Sequence, residues 1–467
     1  MPPALASLLT AAFISFLFFL ETRKQTEVNS ALWLPVLWMI ITGSRFPTQW
    51  LNLGARGADA DGGVLDVIYF LTLIILGGRV LIARKIEISK LIANNHWIAA
   101  FFIFGFLSIA WSDFPFVAFK RYIKVLGHPI MALIILTDAD PKAALRIVMK
   151  RSAYLLMPLS VLFIKYYPEY GRGFDSWTGE AFNNGVMLNK NELGYSCMLF
   201  GIFFFWNILT AKYIEDPKIR RYEILISAVF LYMICWLLSM AHSSTSLVSF
   251  LVGVSVIAVV GSKLVSKKYL GTYVITTVVV AVSLESAFDI REMIFDMLGE
   301  DSTLTDRTFV WADCLALVEN PILGTGFESF WLGERLDILW AKWWWKPNQA
   351  HNGYIETYLN LGLIGVILLI GMIISAFRKS GRQSLTDLAM GRLRLGFLFA
   401  IVFYNYAEAT FKAVHLVWTV FHIIAIEYPT PAVILTTLHA KGLSRNPAQS
   451  RYKKANIRKP NKPREIP

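Results

Sequence analysis

The sequence predicts an all-α polytopic membrane helix bundle, with about 12 to 13 transmembrane helices and one large loop outside the membrane. Three observations lead there. Apolar residues make up 55% of the 467 positions and charged residues only 17%, a balance that soluble domains of this length do not show. Apolar runs of about 17 to 22 residues recur along the chain, each long enough to cross a hydrocarbon core of about 30 Å. Lys and Arg collect in alternate links, while acidic residues collect in one long polar segment, so the net charge of +12 is an orientation signal rather than a nucleic-acid signal.

In chain order, spans are expected at 3–20, 30–45, 64–82, 96–112, 117–137, 152–166, 192–210, 222–240, 244–261, 269–285, 353–376, 392–409 and 413–428. The first run lacks the basic leader and small-residue cleavage site of a secretory signal and is read as a retained span. Basic links at Arg23-Lys24, Arg84-Lys85, Lys142 to Arg151, Lys212 to Arg221, Lys263 to Lys268 and Arg378 to Arg394 are assigned to the cytoplasm. Alternation then places 46–63, 167–191, 286–350 and the short link near Glu408 outside. Thirteen spans put the N-terminus outside; if the first run lies along the interface or merges with the second, twelve put both ends inside. The chain divides into an N-terminal bundle (1–285), the large outer loop (286–350), C-terminal membrane helices (351–430) and a basic tail (441–467) expected to be disordered. Cys197 and Cys235 fall in apolar runs and Cys314 in the outer loop, which builds neither a disulfide framework nor a CxxC metal pattern.

The outer loop ends at Ala350 and a new apolar helix begins at His351-Asn352, with Tyr354, Ile355, Tyr358, Gly362 and Gly365 expected on one face below the histidine. Two readings are open at His351: a helix cap over a packing seam, or a titratable group placed where substrate reaches it. Gly362 and Gly365 are read as packing positions that set the depth and tilt of that helix. Arg307 is either in an ordinary salt bridge or a bidentate clamp for a phosphate. Lys120, Arg121, Lys124 and His128 sit in an otherwise apolar run, with the last three at i, i+3 and i+7, so a single cationic face would either hold an anion such as a diphosphate or snorkel to the interface. Before the seventh expected span come Arg172 and Asn189-Lys190-Asn191, where Asn191 is a candidate helix cap and Lys190 a ligand contact at a helix N-terminus. His242-Ser243-Ser244-Thr245 opens the ninth. Trp343-Trp344-Trp345 is read first as an interface anchor and second as a sugar-stacking surface. No GxxxxGK[ST] loop, HExxH motif or dinucleotide fingerprint is present, so no metal or cofactor is implied. A site outside the cytoplasm has no ATP, and its energy must come from an activated substrate.

These residues carry a family resemblance. His351-Asn352 followed by Gly362-Leu-Ile-Gly365 resembles the signature of the O-antigen ligase and O-antigen polymerase-like superfamily of bacterial membrane proteins, which includes exopolysaccharide polymerases. Ser108-Ile-Ala-Trp111-Ser112-Asp113-Phe-Pro115 with Arg121, Asn189-Lys190-Asn191-Glu-Leu-Gly194, and Asp306-Arg307 to Trp311 with Asn320-Pro-Ile-Leu-Gly324-Thr-Gly326-Phe327 look like further elements of that pattern, in its order. The resemblance implies a metal-independent, inverting glycosyltransferase at the periplasmic face of the bacterial inner membrane, with the large loop periplasmic. The implied donor is a glycan on undecaprenyl diphosphate. The acceptor is a saccharide or lipid A-core, and chain-length regulator and flippase proteins are the implied partners. His351 and Arg307 take the catalytic positions of base and diphosphate binder. Arg121, Lys124, Arg172, Lys190, Asn191 and Asn352 are the substrate-binding candidates. Many members carry a cation where this chain has Ser244, so either Arg121, Lys124 or Lys190 stands in for it or the donor is held differently. Polymerase is placed ahead of ligase on the Lys190 variant and the Ser243 to Ser246 run; a transporter or flippase of lipid-linked glycans is the alternative.

Overall fold

The computed structural model describes residues 1–24, 29–53, 62–174, 179–288 and 307–428. The expected basic tail, Asp306 and residues 289–305 of the outer loop lie outside the described residues. The described chain is almost entirely helical, as composition requires. Its one sheet among those residues is a short antiparallel hairpin, Arg172–Phe174 against Ala181–Asn183.

Nine described helices are long and apolar enough to cross a membrane: Pro3–Glu21, Val64–Ala83, Pro141–Tyr166, Lys190–Ala211, Pro217–Ala241, Ser244–Gly261, Lys267–Ser286, Gly353–Thr386 and Leu388–Ala407. A tenth arises if Ile88–Asn94 and His96–Trp111, bent by 101°, count as one span. This is fewer than the twelve to thirteen expected, and the shortfall has a local cause. The run at 117–137 is two helices, Pro115–Val125 and Gly127–Leu136, because Pro129 lacks an N–H and Gly127 presses directly on the Trp38 ring. Ser30–Thr42 and Leu416–Ala425 are too short to span. Leu416–Ala425 is buried at every position, so its apolar character serves the protein core rather than lipid.

Lys190–Ala211 is the most enclosed of the long helices, 83% of its apolar window being buried, and it is accordingly hydrophobic on all sides. Ser244–Gly261 and Leu388–Ala407 meet where a Cβ on Gly253 would lie 3.1 Å from the Gly396 carbonyl, so the missing side chains set their separation.

The Gly353–Thr386 helix is broken at Gly362, whose φ of 61° and ψ of −163° lie outside the helical region. The break frees backbone groups that hydrocarbon cannot satisfy, and the 321–326 segment of the outer loop supplies their partners. Thr325 N donates to Leu359 O at 3.1 Å and Gly326 N to Asn360 O at 2.9 Å, while Leu363 N donates to Pro321 O at 2.9 Å and Ile364 N to Ile322 O at 3.3 Å. Gly362 is therefore not a seam position on a continuous helix face as expected. It is a chain break with a loop docked into it. A Cβ on Gly365 would run into the Leu361 side chain across the same bend.

The links expected on each side of the membrane gather at opposite ends. At the basic end Arg84 pairs with Asp138 at 3.0 Å and Arg151 with Glu21 at 3.2 Å, while Lys150 pairs with Glu223 and Lys142 with Asp387. The other four links meet around one cavity.

Candidate active site

A cavity of about 2070 Å³ is lined by all four of those links and by the helix ends that carry them. Its wall includes His351, Arg121, Lys124, Lys190 and Asn191, which the sequence reading placed on one side, together with Glu408 and Lys412.

His351 is held from both neighbours. Ala350 donates its N–H to Glu356 Oε2 at 2.9 Å and accepts Trp311 Nε1 at 2.6 Å. Asn352 caps the Gly353–Thr386 helix, its Oδ1 accepting the N–H groups of Tyr354 and Ile355 at 3.0 Å, and its Nδ2 donates to Tyr406 O at 2.9 Å. Fixed on both sides, His351 adopts a φ of 48°, an uncommon conformation for a residue with a Cβ. Its Nδ1 lies 3.1 Å from Glu408 Oε2, with the Gln349 side-chain nitrogen 3.4 Å away. Among the described residues Nε2 makes no hydrogen bond.

Glu408, which follows directly on the Leu388–Ala407 helix, is a candidate that the sequence reading passed over. Its Oε1 accepts Asn191 Nδ2 at 2.8 Å and Arg307 NH2 at 3.3 Å, and its side chain is 8% exposed. Burial alone would raise its pKa, but His351, Arg307 and Lys412 together outweigh burial and hold the carboxyl below its usual range. A carboxylate at Glu408 can take a hydrogen only from Nδ1–H of His351, which leaves Nε2 as the ring nitrogen with no partner among the described residues.

The other predicted site residues divide into those the structure brings to the cavity and those it does not. Arg121 and Lys124 are buried and line it, and Arg121 donates to Glu328 O. Lys190 lines it at the start of the Lys190–Ala211 helix. The cap of that helix is Asn189, whose side chain accepts Glu192 N at 2.9 Å, so Asn191 is not the cap and instead reaches Glu408. Arg307 stands behind Glu408, donating also to Ala407 O, and is not part of the cavity wall. Arg172 donates Nε and NH2 to Ile164 O at 3.1 and 3.0 Å and likewise lies off the wall. Its contacts cap the end of the Pro141–Tyr166 helix.

His128 departs from the expected cationic face. It is fully buried, with Nδ1 2.8 Å from Thr419 Oγ1 and Nε2 2.9 Å from Ala413 O. The Ser243 to Ser246 run also lies off the wall, with Ser243 and Ser246 hydroxyls 2.9 Å apart beside Gly194, where no Cβ would fit. Of the tryptophans, Trp343 and Trp345 pack into the small core of the outer loop, and Trp344 is 61% exposed. Trp344 is the exposed member of the three. Trp345 has its ring centroid 6.5 Å from that of His351.

Two comparisons with known proteins bear on this site. The family model described as O-antigen ligase matches residues 227–370, a span that contains Arg307, His351, Gly362 and Gly365 and stops before Glu408. The chain is also 28% identical over 306 residues to the exopolysaccharide production protein ExoQ of Rhizobium meliloti (strain 1021), covering 63% of this chain and 67% of that protein.

Proposed function

We propose that this multi-pass membrane protein, whose two matches support an O-antigen ligase/polymerase-like family and a role in exopolysaccharide or O-antigen synthesis, transfers a glycan from undecaprenyl diphosphate to an acceptor hydroxyl at the periplasmic face of the inner membrane. One observation carries the mechanism: the 3.1 Å contact between His351 Nδ1 and Glu408 Oε2, in the wall of a cavity that also holds Arg121, Lys124 and Lys190. His351 Nε2 takes the proton of the acceptor hydroxyl. The hydroxyl oxygen bonds to the anomeric carbon as the bond from that carbon to the diphosphate oxygen breaks, and the electron pair leaves on the diphosphate. In-line displacement inverts the anomeric centre and needs no metal. Glu408 stabilises the imidazolium, and the neighbouring cations meet the charge that develops on the leaving group.

The cavity, at about 2070 Å³, exceeds the roughly 300–1000 Å³ of ordinary ligand sites, so donor and acceptor saccharides fit together. Likeness to an exopolysaccharide production protein favours polymerisation over ligation. At the far end of the bundle Arg84, Lys150, Arg151 and Lys142 are paired with carboxylates, while Arg392 Nε and NH2 are buried without a hydrogen-bond partner among the described residues, so the preference for transfer over a flippase rests on the His351–Glu408 contact. The test is protein in liposomes with undecaprenyl diphosphate oligosaccharide, scored for chain growth and for transfer to an added lipid A-core acceptor. Loss of a general base lowers turnover by about 10²- to 10⁴-fold, which is the expected result for His351→Ala. Full activity in that variant, or neither product from the wild type, overturns the reading.

A further inference from the structure

Lys412 belongs to the link between Leu388–Ala407 and Leu416–Ala425 and lines the cavity. Its Nζ donates to Gln349 Oε1 at 3.1 Å, and the Gln349 side-chain nitrogen lies 3.4 Å from His351 Nδ1. Gln349 thus stands between this ammonium and the base. That is the one hydrogen bond Lys412 makes among the described residues, and an ammonium has three donors.

The surroundings make this arrangement unusual. Glu192, Glu328, Glu356 and Glu408 all line the cavity within electrostatic reach of Lys412, yet none forms an ion pair with it. Each is occupied elsewhere: Glu192 by Leu188 N at 3.0 Å and Glu356 by Trp331 Nε1 at 2.8 Å, Glu328 by Ala413 N, and Glu408 by His351, Arg307 and Asn191. A lysine serving only as a counterion would close on one of these carboxylates. Instead it is steered by Gln349, and two of its N–H donors have no partner among the described residues.

We infer that Lys412 binds the diphosphate of the isoprenoid-linked donor and receives the negative charge of the leaving group, with Gln349 fixing its distance from the base. This rests on the transferase reading above. As the anomeric carbon–oxygen bond breaks, the electron pair goes to the diphosphate oxygen, and a lysine N–H meets it there while His351 holds the acceptor's proton. Neither proton nor charge then has to cross the cavity during the displacement.

Two measurements test it. In liposomes, undecaprenyl diphosphate acts as a product inhibitor, and Lys412→Gln is expected to weaken that inhibition by about tenfold or more, the worth of one charge-assisted hydrogen bond, with Lys412→Arg restoring most of it. Wild-type inhibition in a correctly inserted Lys412→Gln protein overturns the inference. The second uses unmodified protein and an amine-modifying reagent read by mass spectrometry. Undecaprenyl diphosphate is expected to slow modification of Lys412 more than undecaprenyl monophosphate does; an unchanged rate overturns the inference whether or not the variants fold. The labelling needs no turnover. Protection without any glycan transfer would sink the transferase reading and keep the diphosphate site, and transfer without protection would do the reverse.

Discussion

Replacing Glu408 with Gln keeps the size of the side chain and removes its charge. In the wild type the carboxylate sits 3.1 Å from His351 Nδ1 and 3.3 Å from Arg307 NH2. When the base takes its proton, an imidazolium forms against that carboxylate. A hydrogen bond to a charged group contributes about 1.5–3 kcal/mol, and two unit charges 4 Å apart near a protein surface interact by about 4 kcal/mol. A loss of about 2–4 kcal/mol from the transition state lowers kcat about 30- to 1000-fold. The assay is the initial rate of chain growth in liposomes at saturating donor. Because Arg307 loses an ionic partner that is largely buried, membrane insertion and thermal unfolding must be measured on the same preparation. The double variant Arg307→Gln, Glu408→Gln should lose less than the product of the two single losses, since both act through one carboxylate. A correctly inserted Glu408→Gln enzyme with wild-type kcat refutes the reasoning. The pH dependence has a definite sign. His351, Arg307 and Lys412 depress the Glu408 carboxyl below its usual range despite burial, so its contribution is fully present above the unfolded value and is lost only as pH falls through the lower native one. Wild-type rate should therefore hold through the ordinary carboxylate range on this group's account.

Further outcomes follow from the geometry. Gly362→Ala places a Cβ against Ile322 O and 2.7 Å from Gly324 N at a φ of 61°, and should cost more than about 1–3 kcal/mol, seen as a lower thermal midpoint and reduced transfer. An unchanged midpoint would mean that the break is not held by the docked loop. Arg172→Ala should lower stability modestly and leave donor KM unchanged, because its guanidinium is spent on Ile164 O. Arg121→Ala, which removes a cation from the cavity wall, should raise donor KM by about tenfold. The opposite ranking in donor KM would reverse the two assignments.

Hydropathy made the bundle readable because lipid imposes one strong requirement on every exposed span. It could not tell lipid-facing from protein-facing apolar runs. Leu416–Ala425 and Gly127–Leu136 are as apolar as true spans, and only their neighbours show that they are core. Charge alternation placed on one side the four links that line the cavity, and His351, Arg121, Lys124 and Lys190 were legible as polar groups of one face. Glu408 was not, since a single carboxylate after a helix looks like any polar link until Arg307, Asn191 and His351 are seen around it. Asn189 and Asn191 flank Lys190 symmetrically in sequence, and local pattern cannot say which one caps the helix. The sense of Gly362 depended on a partner about 40 residues upstream in the docked loop, beyond any helical period.

The loop docked at Gly362 limits how this site can open. Its backbone is joined on both sides of the break to the helix whose first turn carries His351, and Phe330, Trp331 and Leu339 share a core with Leu359 of that helix. The segment is thus a fixed jamb rather than a door. On the transferase reading a glycan passes this segment without displacing it, because moving it would unpair Leu359 O, Asn360 O, Leu363 N and Ile364 N.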